Sequence, residues 1–154
     1  MKETIKLSED KTITLKASAA TNILYKRAFH EDILVKMAAY TKNIKELKAM
    51  QEKIAALKDD KSKTQEQILE EINTLMNSEV FTTSTSFMND TLPKLAYIMY
   101  LEANEGIETI FGKLTEEYYL IWLMSIDQND LLAVTGQVIG IWQAGARTTS
   151  KPKN

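Results

Sequence analysis

The sequence predicts a mainly α fold with a small N-terminal β-hairpin, an α+β arrangement whose helical bundle includes a long antiparallel helical hairpin. Three observations carry this expectation. Only five Gly and two Pro occur in 154 residues, too few for the many tight turns of an all-β fold. Apolar residues from Ile33 to Leu57 recur at steps of three and four, the spacing of one helical stripe. Near the start of the chain, apolar and polar residues instead alternate with the period of a half-buried strand.

Ile5 and Leu7 alternate with polar neighbours, Ser8 to Asp10 offer turn chemistry, and Ile13 and Leu15 resume the alternation. A hairpin alone is marginal in water, so one of its faces is expected to pack on the helices that follow. Ser18 or Thr21 begins a first helix with Ile23, Leu24, Ala28 and Phe29 on its inner face. Glu31 or Asp32 begins a second after a bend near His30. Its stripe is Met37, Tyr40, Ile44, Leu47, Met50, Ile54 and Leu57. The segment DDKSKTQ interrupts the pattern, and Ser62 with Gln65 or Thr64 with Gln67 can form a capping box for a returning helix. That helix carries Ile68, Ile72, Leu75 and Met76, so the pair reads as an antiparallel hairpin.

FTTSTSFMND, Phe81 to Asp90, has no helical period and reads as a loop. Asp90 or Thr91 caps the next helix, with Pro93 tolerated in its first turn and an end near Asn104 to Gly106. A short turn or helix follows around Ile107 to Leu114. Thr115 caps the run YYLIWLM, Tyr118 to Met124, which is apolar all round and predicts a helix buried on most of its circumference. Ser125 or Asp127 caps a last helix whose inner face is Leu131, Val134, Val138, Ile141 and Trp142. Residues 1–143 are therefore expected to form one domain, with 42–88 as a helical-hairpin insert plus loop and 144–154 as a flexible tail.

Composition narrows the function classes. With 44% hydrophobic and 26% charged residues the chain is expected to be globular, not disordered. A net charge of -2 with acids and bases interleaved argues against nucleic acid as the main partner. Without Cys there is no disulfide, thiolate zinc site or cysteine nucleophile. MKETIKLSEDKTITLK lacks the apolar run of a secretory signal. The apolar run ending at Ile126 is too short to cross a membrane, and Asp127, Asn129 and Asp130 follow it.

No enzyme signature is present, and no catalytic, cofactor-binding or metal-ligating residues are assigned. His30 is the single histidine, and Glu31 and Asp32 do not share a helical face with it, so it reads as a helix-boundary residue. The pairs Glu70/Glu71, Glu116/Glu117 and Asp127/Asp130 suit solvation and helix starts better than acid–base catalysis across a pocket. The glycine-rich phosphate loops and the nucleophile elbow are absent. The aromatic group Tyr97, Tyr100, Tyr118, Tyr119, Trp122 and Trp142 has two readings. Large rings at helical spacing fill cores, while interfaces favour Tyr, Trp and Met, of which seven Met occur.

Two regions together resemble the tail assembly chaperones of long-tailed, siphovirus-type bacteriophages and prophages of Gram-positive bacteria. One is TITLKASAATNILYKRAFHEDIL, a strand, a small-residue helix start and Leu-Tyr-Lys-x-x-Phe followed by Asp-Ile. The other is LPKLAYIMYLEAN continuing to YYLIWLMSIDQNDLLAVTGQVIGIWQ. They cover about half the chain, and the middle, 42–88, looks longer than the family's usual connection. The resemblance implies a non-catalytic factor that binds the tape measure protein and keeps it soluble while the tail tube polymerises. It implies a protein of the bacterial host cytoplasm, absent from the mature virion. It also implies that the chain is the short product of a frameshifted gene, whose longer product recruits the major tail tube protein; Pro152-Lys153-Asn154 can be encoded by an A-rich slippery run. On this reading Tyr97, Tyr100, Tyr119, Trp122 and Trp142 contribute to the protein-binding surface. The alternative is an interaction module that self-associates through the 33–57/68–76 hairpin, making a homo-oligomer.

Overall fold

Strands β1 (Lys2–Lys6) and β2 (Thr12–Lys16) pair antiparallel, with Ile5 opposite Ile13. Glu9 and Asp10 both have positive φ, 55° and 60°. Two such residues in succession make the tight turn whose twist matches that of the flanking strands. The Asp130 carboxylate clamps this turn, accepting from the Ser8 N–H at 2.9 Å and the Ser8 hydroxyl at 3.1 Å. Ile5, Ile13 and Leu15 are buried, so the expected face packs inward. The computed structural model describes residues 2–147, and the mainly α fold with a small hairpin is what the sequence predicts.

The helices are α1 (Thr21–Phe29), α2 (Ile33–Lys58), α3 (Gln65–Met76), α4 (Glu79–Ser86), α5 (Leu92–Asn104), α6 (Ile107–Gly112), α7 (Glu116–Met124) and α8 (Gln128–Arg147), with a π-helical turn over Phe87–Thr91. His30 ends α1 in the left-handed conformation, φ 58°, its N–H bonded to the Lys26 carbonyl. Histidine is among the residues that tolerate this conformation. The Asp32 side chain then accepts from the Leu34 N–H at the start of α2.

The chain divides into two compact units. One comprises the residues up to Leu34 together with those from Asp90 onward; the other is Val35–Asn89. The latter begins seven residues before the insert expected over 42–88.

In the first unit α5 is the central element. Every residue from Leu92 to Met99 is buried, and the helix packs against β2, α1, α6, α7 and α8. Its two charged side chains within the core region have partners. Lys94 Nζ lies 3.1 Å from Asp90 and 3.8 Å from Glu31, over the Phe29 ring. Glu102 accepts from the hydroxyls of Ser18 and Thr21 at 2.5 and 2.6 Å, which fixes the start of α1. Burial nonetheless raises the Glu102 pKa above the usual glutamate value, against the opposing pull of those hydroxyls.

This placement corrects the expectation for α7. Of Tyr118 to Met124 only Tyr119 and Trp122 are buried, while Tyr118, Leu120, Ile121 and Met124 are exposed. An all-round apolar pattern shows that no side of the helix is polar; it does not show that every side is covered. Thr115 does cap α7, accepting from the Tyr118 N–H. Val134, Val138 and Ile141 line the inner face of α8, with Leu131 and Trp142 half-buried.

In the second unit Thr64/Gln67, one of the two capping boxes the sequence offers, opens α3. Met50 and Leu57 are buried along α2, and the Ser78 hydroxyl donates to Met50 Sδ. The expected loop over Phe81–Asp90 is instead helix and π-turn. Ser78 caps α4 by accepting from the Phe81 N–H, and the Thr82 hydroxyl bonds back to the Ser78 carbonyl. Such caps and back-bonds let a Ser/Thr-rich segment hold a helix. Phe87 stacks on Tyr40, centroids 4.1 Å apart. Thr91 is already helical and makes no side-chain cap, so neither it nor Asp90 starts a new helix as expected.

Of the tail expected over 144–154, Ala144 to Arg147 continue α8, and 148–154 lie outside the described residues. Gly145 permits this continuation. A Cβ there would stand 2.6 Å from Ala17 Cβ, so only glycine lets the helix pass so close. Among the described residues, no helix is long and apolar enough to cross a membrane.

Candidate protein-binding surface

Four of the five rings singled out in the sequence gather where α5 meets α7. Tyr97 lies 5.7 Å from Tyr119 and 5.5 Å from Trp122, and Tyr100 lies 5.8 Å from Trp122, all centroid to centroid with tilted planes. Phe29 extends the group, edge-on to Tyr119 at 5.3 Å. These are favourable spacings for aromatic pairs, contributing about 0.5–1.5 kcal/mol each beyond their buried area.

Burial decides their role. Tyr97, Tyr119 and Trp122 are 2%, 4% and 8% exposed, so these three rings are core and cannot present a surface to another protein. Tyr97 donates from its hydroxyl to the Lys113 carbonyl at 2.7 Å, satisfying the backbone at the end of α6. Burial pushes the phenols of Tyr97 and Tyr119 up to about 12, as expected when ionisation would strand a charge away from water. Tyr100 remains half-buried. Trp142 stands apart from the group, also half-buried, with its indole N–H donated to Asn22 Oδ1 at 2.8 Å, tying α8 to α1. Of the five rings expected at a binding surface, Tyr97, Tyr119 and Trp122 are interior, while Tyr100 and Trp142 each present part of their surface.

The exposed apolar surface lies elsewhere. Ile23 on α1 and Ile107 and Phe111 on α6 are 67%, 70% and 48% exposed. With Leu24 and Ile110 at its base, they line a groove of about 460 Å³. The Arg27 guanidinium sits 5.0 Å above the Phe111 ring centroid, and Lys16, Glu102 and Glu105 complete the rim. Glu105 is itself paired with Lys113 at 2.9 Å. An apolar floor with a rim of both signs suits an amphipathic helix that lays down its greasy side.

The expected inner face of α1 includes Ile23, but Ile23 is exposed. Tyr25, fully buried, takes that direction instead. Ile107 and Phe111 carried a usable signal, an i,i+4 apolar pair on a short helix. Their exposure depends on how α6 packs, which local spacing does not encode. The lone histidine lies at the exposed corner after α1, and among the described residues no group of three or more His, Asp or Glu is placed to hold a metal ion.

No family model matches the chain, and neither the curated proteins nor the solved structures include a significant match.

Proposed function

We propose that this chain is a non-catalytic tail assembly chaperone of a long-tailed bacteriophage or prophage, which binds the tape measure protein and keeps it soluble while the tube polymerises. The groove formed by Ile23, Ile107 and Phe111 carries the reading. Large apolar side chains left this exposed, beside a core that already contains the aromatic cluster, form an adhesive surface with no internal purpose. The sequence resemblance at TITLKASAATNILYKRAFHEDIL and LPKLAYIMYLEAN supports the class of client.

A tape measure protein is a long helical rod whose apolar stripes stay uncovered until the tube closes round it. A shallow groove can cover one or two turns of such a stripe and then release it. Release sets a ceiling on affinity. Micromolar sites, about -8 kcal/mol each, repeated along the rod would protect it without trapping it. On this proposal the chain works in the bacterial host cytoplasm, is the short product of a frameshifted gene, and departs before the virion matures. The longer product would bring in the tail tube protein.

Co-expression tests the assignment. The tape measure protein encoded beside this chain should move from the insoluble to the soluble fraction when the chain is present. Equal solubility with and without it would remove the assignment.

A further inference from the structure

The groove formed by Ile23, Ile107 and Phe111 does not end at its own rim. A second hollow of about 400 Å³, lined by Asn22, Lys26, Asp32 and Leu34, shares Ile23 and Arg27 with it. Leu34 is 53% exposed. An apolar line therefore runs from Ile107 and Phe111 on α6 across Ile23 on α1 to Leu34, all within the first unit. Arg27 borders both halves of it.

The charges beside this line differ in how far the fold already engages them. Each acid has a partner. Glu102 accepts from Ser18 and Thr21 with its two carboxylate oxygens, Glu105 holds Lys113, and Asp32 accepts from the Leu34 N–H. The cations are not matched in the same way. Among the described residues, no ion pair engages Lys16, Lys26 or Arg27. Lys16 feels the attraction of Glu102, but it stands directly opposite Lys2 in the hairpin register, a like-charge pair that is unfavourable on a sheet face. Arg27 spends the face of its guanidinium on Phe111, and its planar fork of N–H donors is the shape that grips a carboxylate.

We infer that the groove takes an amphipathic helix whose apolar stripe is flanked by Asp and Glu. This rests on the chaperone reading and narrows it, because the client segments that bind here are then acidic beside their stripe. Charge selects the occupant. A carboxylate next to the stripe meets Arg27, which can hold it with two parallel N–H donors, and others meet Lys16 and Lys26. A helix flanked by Lys would instead add cations to three that have no ion-pair partner, and would find the acids already bonded. The net charge of the chain is -2, so its surface as a whole does not draw acidic peptides. A preference for them is local to the groove.

Fluorescence anisotropy of the full chain with two labelled synthetic peptides of about 18 residues, roughly five helical turns, gives the test. Both carry the same leucine stripe and are stapled into a helix on the far face; one has Glu on its flanks and the other Lys. At about 0.15 M salt the Glu peptide should bind roughly tenfold tighter or more. Arg27→Gln should shrink that preference. Because this change also releases Phe111, Lys16→Gln with Lys26→Gln serves as a second variant that leaves the apolar lining intact. It should weaken the Glu peptide by about fivefold without weakening the Lys peptide. Equal affinities, a tighter Lys peptide, no binding of either, or a preference that survives all three changes would overturn the inference. None of these results touches the chaperone reading, which the solubility of the natural client decides whatever its flanks carry.

Discussion

The Arg27 guanidinium lies 5.0 Å above the centroid of the Phe111 ring, a cation–π contact that joins α1 to α6 across the exposed groove. Such a contact at a wet site contributes about 0.5–1 kcal/mol. It orients Phe111 without hiding it, since nearly half of that side chain remains open to water. Groove residues should therefore be separable from the fold. Phe111→Ser or Ile107→Ser should each cost no more than about 1 kcal/mol in urea unfolding. A loss of several kcal/mol would show that these side chains serve the core.

Tyr97 should behave oppositely. Tyr97→Phe keeps the ring packing but leaves the Lys113 carbonyl without its donor, at a cost of about 1–2 kcal/mol. Tyr97→Ala also empties the centre of the aromatic cluster and should cost about 3–5 kcal/mol. There is an alkaline signature as well. The folded-state phenol is raised from 10.0 to about 12, so the unfolded chain ionises first and stability falls as pH rises through that window. In Tyr97→Phe the corresponding part of the fall should vanish from denaturation curves collected between those limits.

Glu102 supplies an acid-side test. Burial holds its pKa above the ordinary 4.5, so the folded state keeps a proton that the unfolded state has released. Its contribution is greatest below the unfolded value and is lost as pH rises through the folded one. Relative to wild type, Glu102→Gln should therefore gain stability as pH rises from that ordinary value toward neutrality. Paired urea titrations at acidic and neutral pH measure this difference, and a change of the opposite sign would refute the assignment.

Ser84 is the one buried side-chain polar atom among the described residues that has no hydrogen-bond partner. Desolvating a hydroxyl without compensation costs about 1–3 kcal/mol. Ser84→Ala removes that cost with little change in volume, so it should raise the melting temperature of the chain. A lowered melting temperature would mean that the hydroxyl has a partner after all.

The elements were legible where local chemistry specifies them. Alternation marks the hairpin, Thr64/Gln67 is the one of two possible capping boxes that opens α3, Asp32 is the one of two candidates that bonds the start of α2, and Thr115 caps α7 as expected. The misses share a cause. α4 reads as a loop because Ser and Thr are poor helix formers, yet the Ser78 cap and the hydroxyl back-bond hold it. AGARTTSKPKN reads as a polar, structure-poor tail, yet Ala144 to Arg147 continue α8, and Gly145 is what lets the helix pass Ala17. The site was the least legible part. Tyr97, Tyr119 and Trp122 drew attention as rings, but which rings are covered is decided by how α5 and α7 meet. Ile23 and Ile107 are left outside by that same packing.

The most direct test of a chaperoning groove compares chains that differ only there. Tape measure protein co-expressed with wild type, or with Ile107→Ser plus Phe111→Ser, would be measured in the soluble fraction, with the variant's fold confirmed by circular dichroism. Wild type should retain the client, and the folded double variant should lose most of this effect. Equal retention by both chains would contradict it.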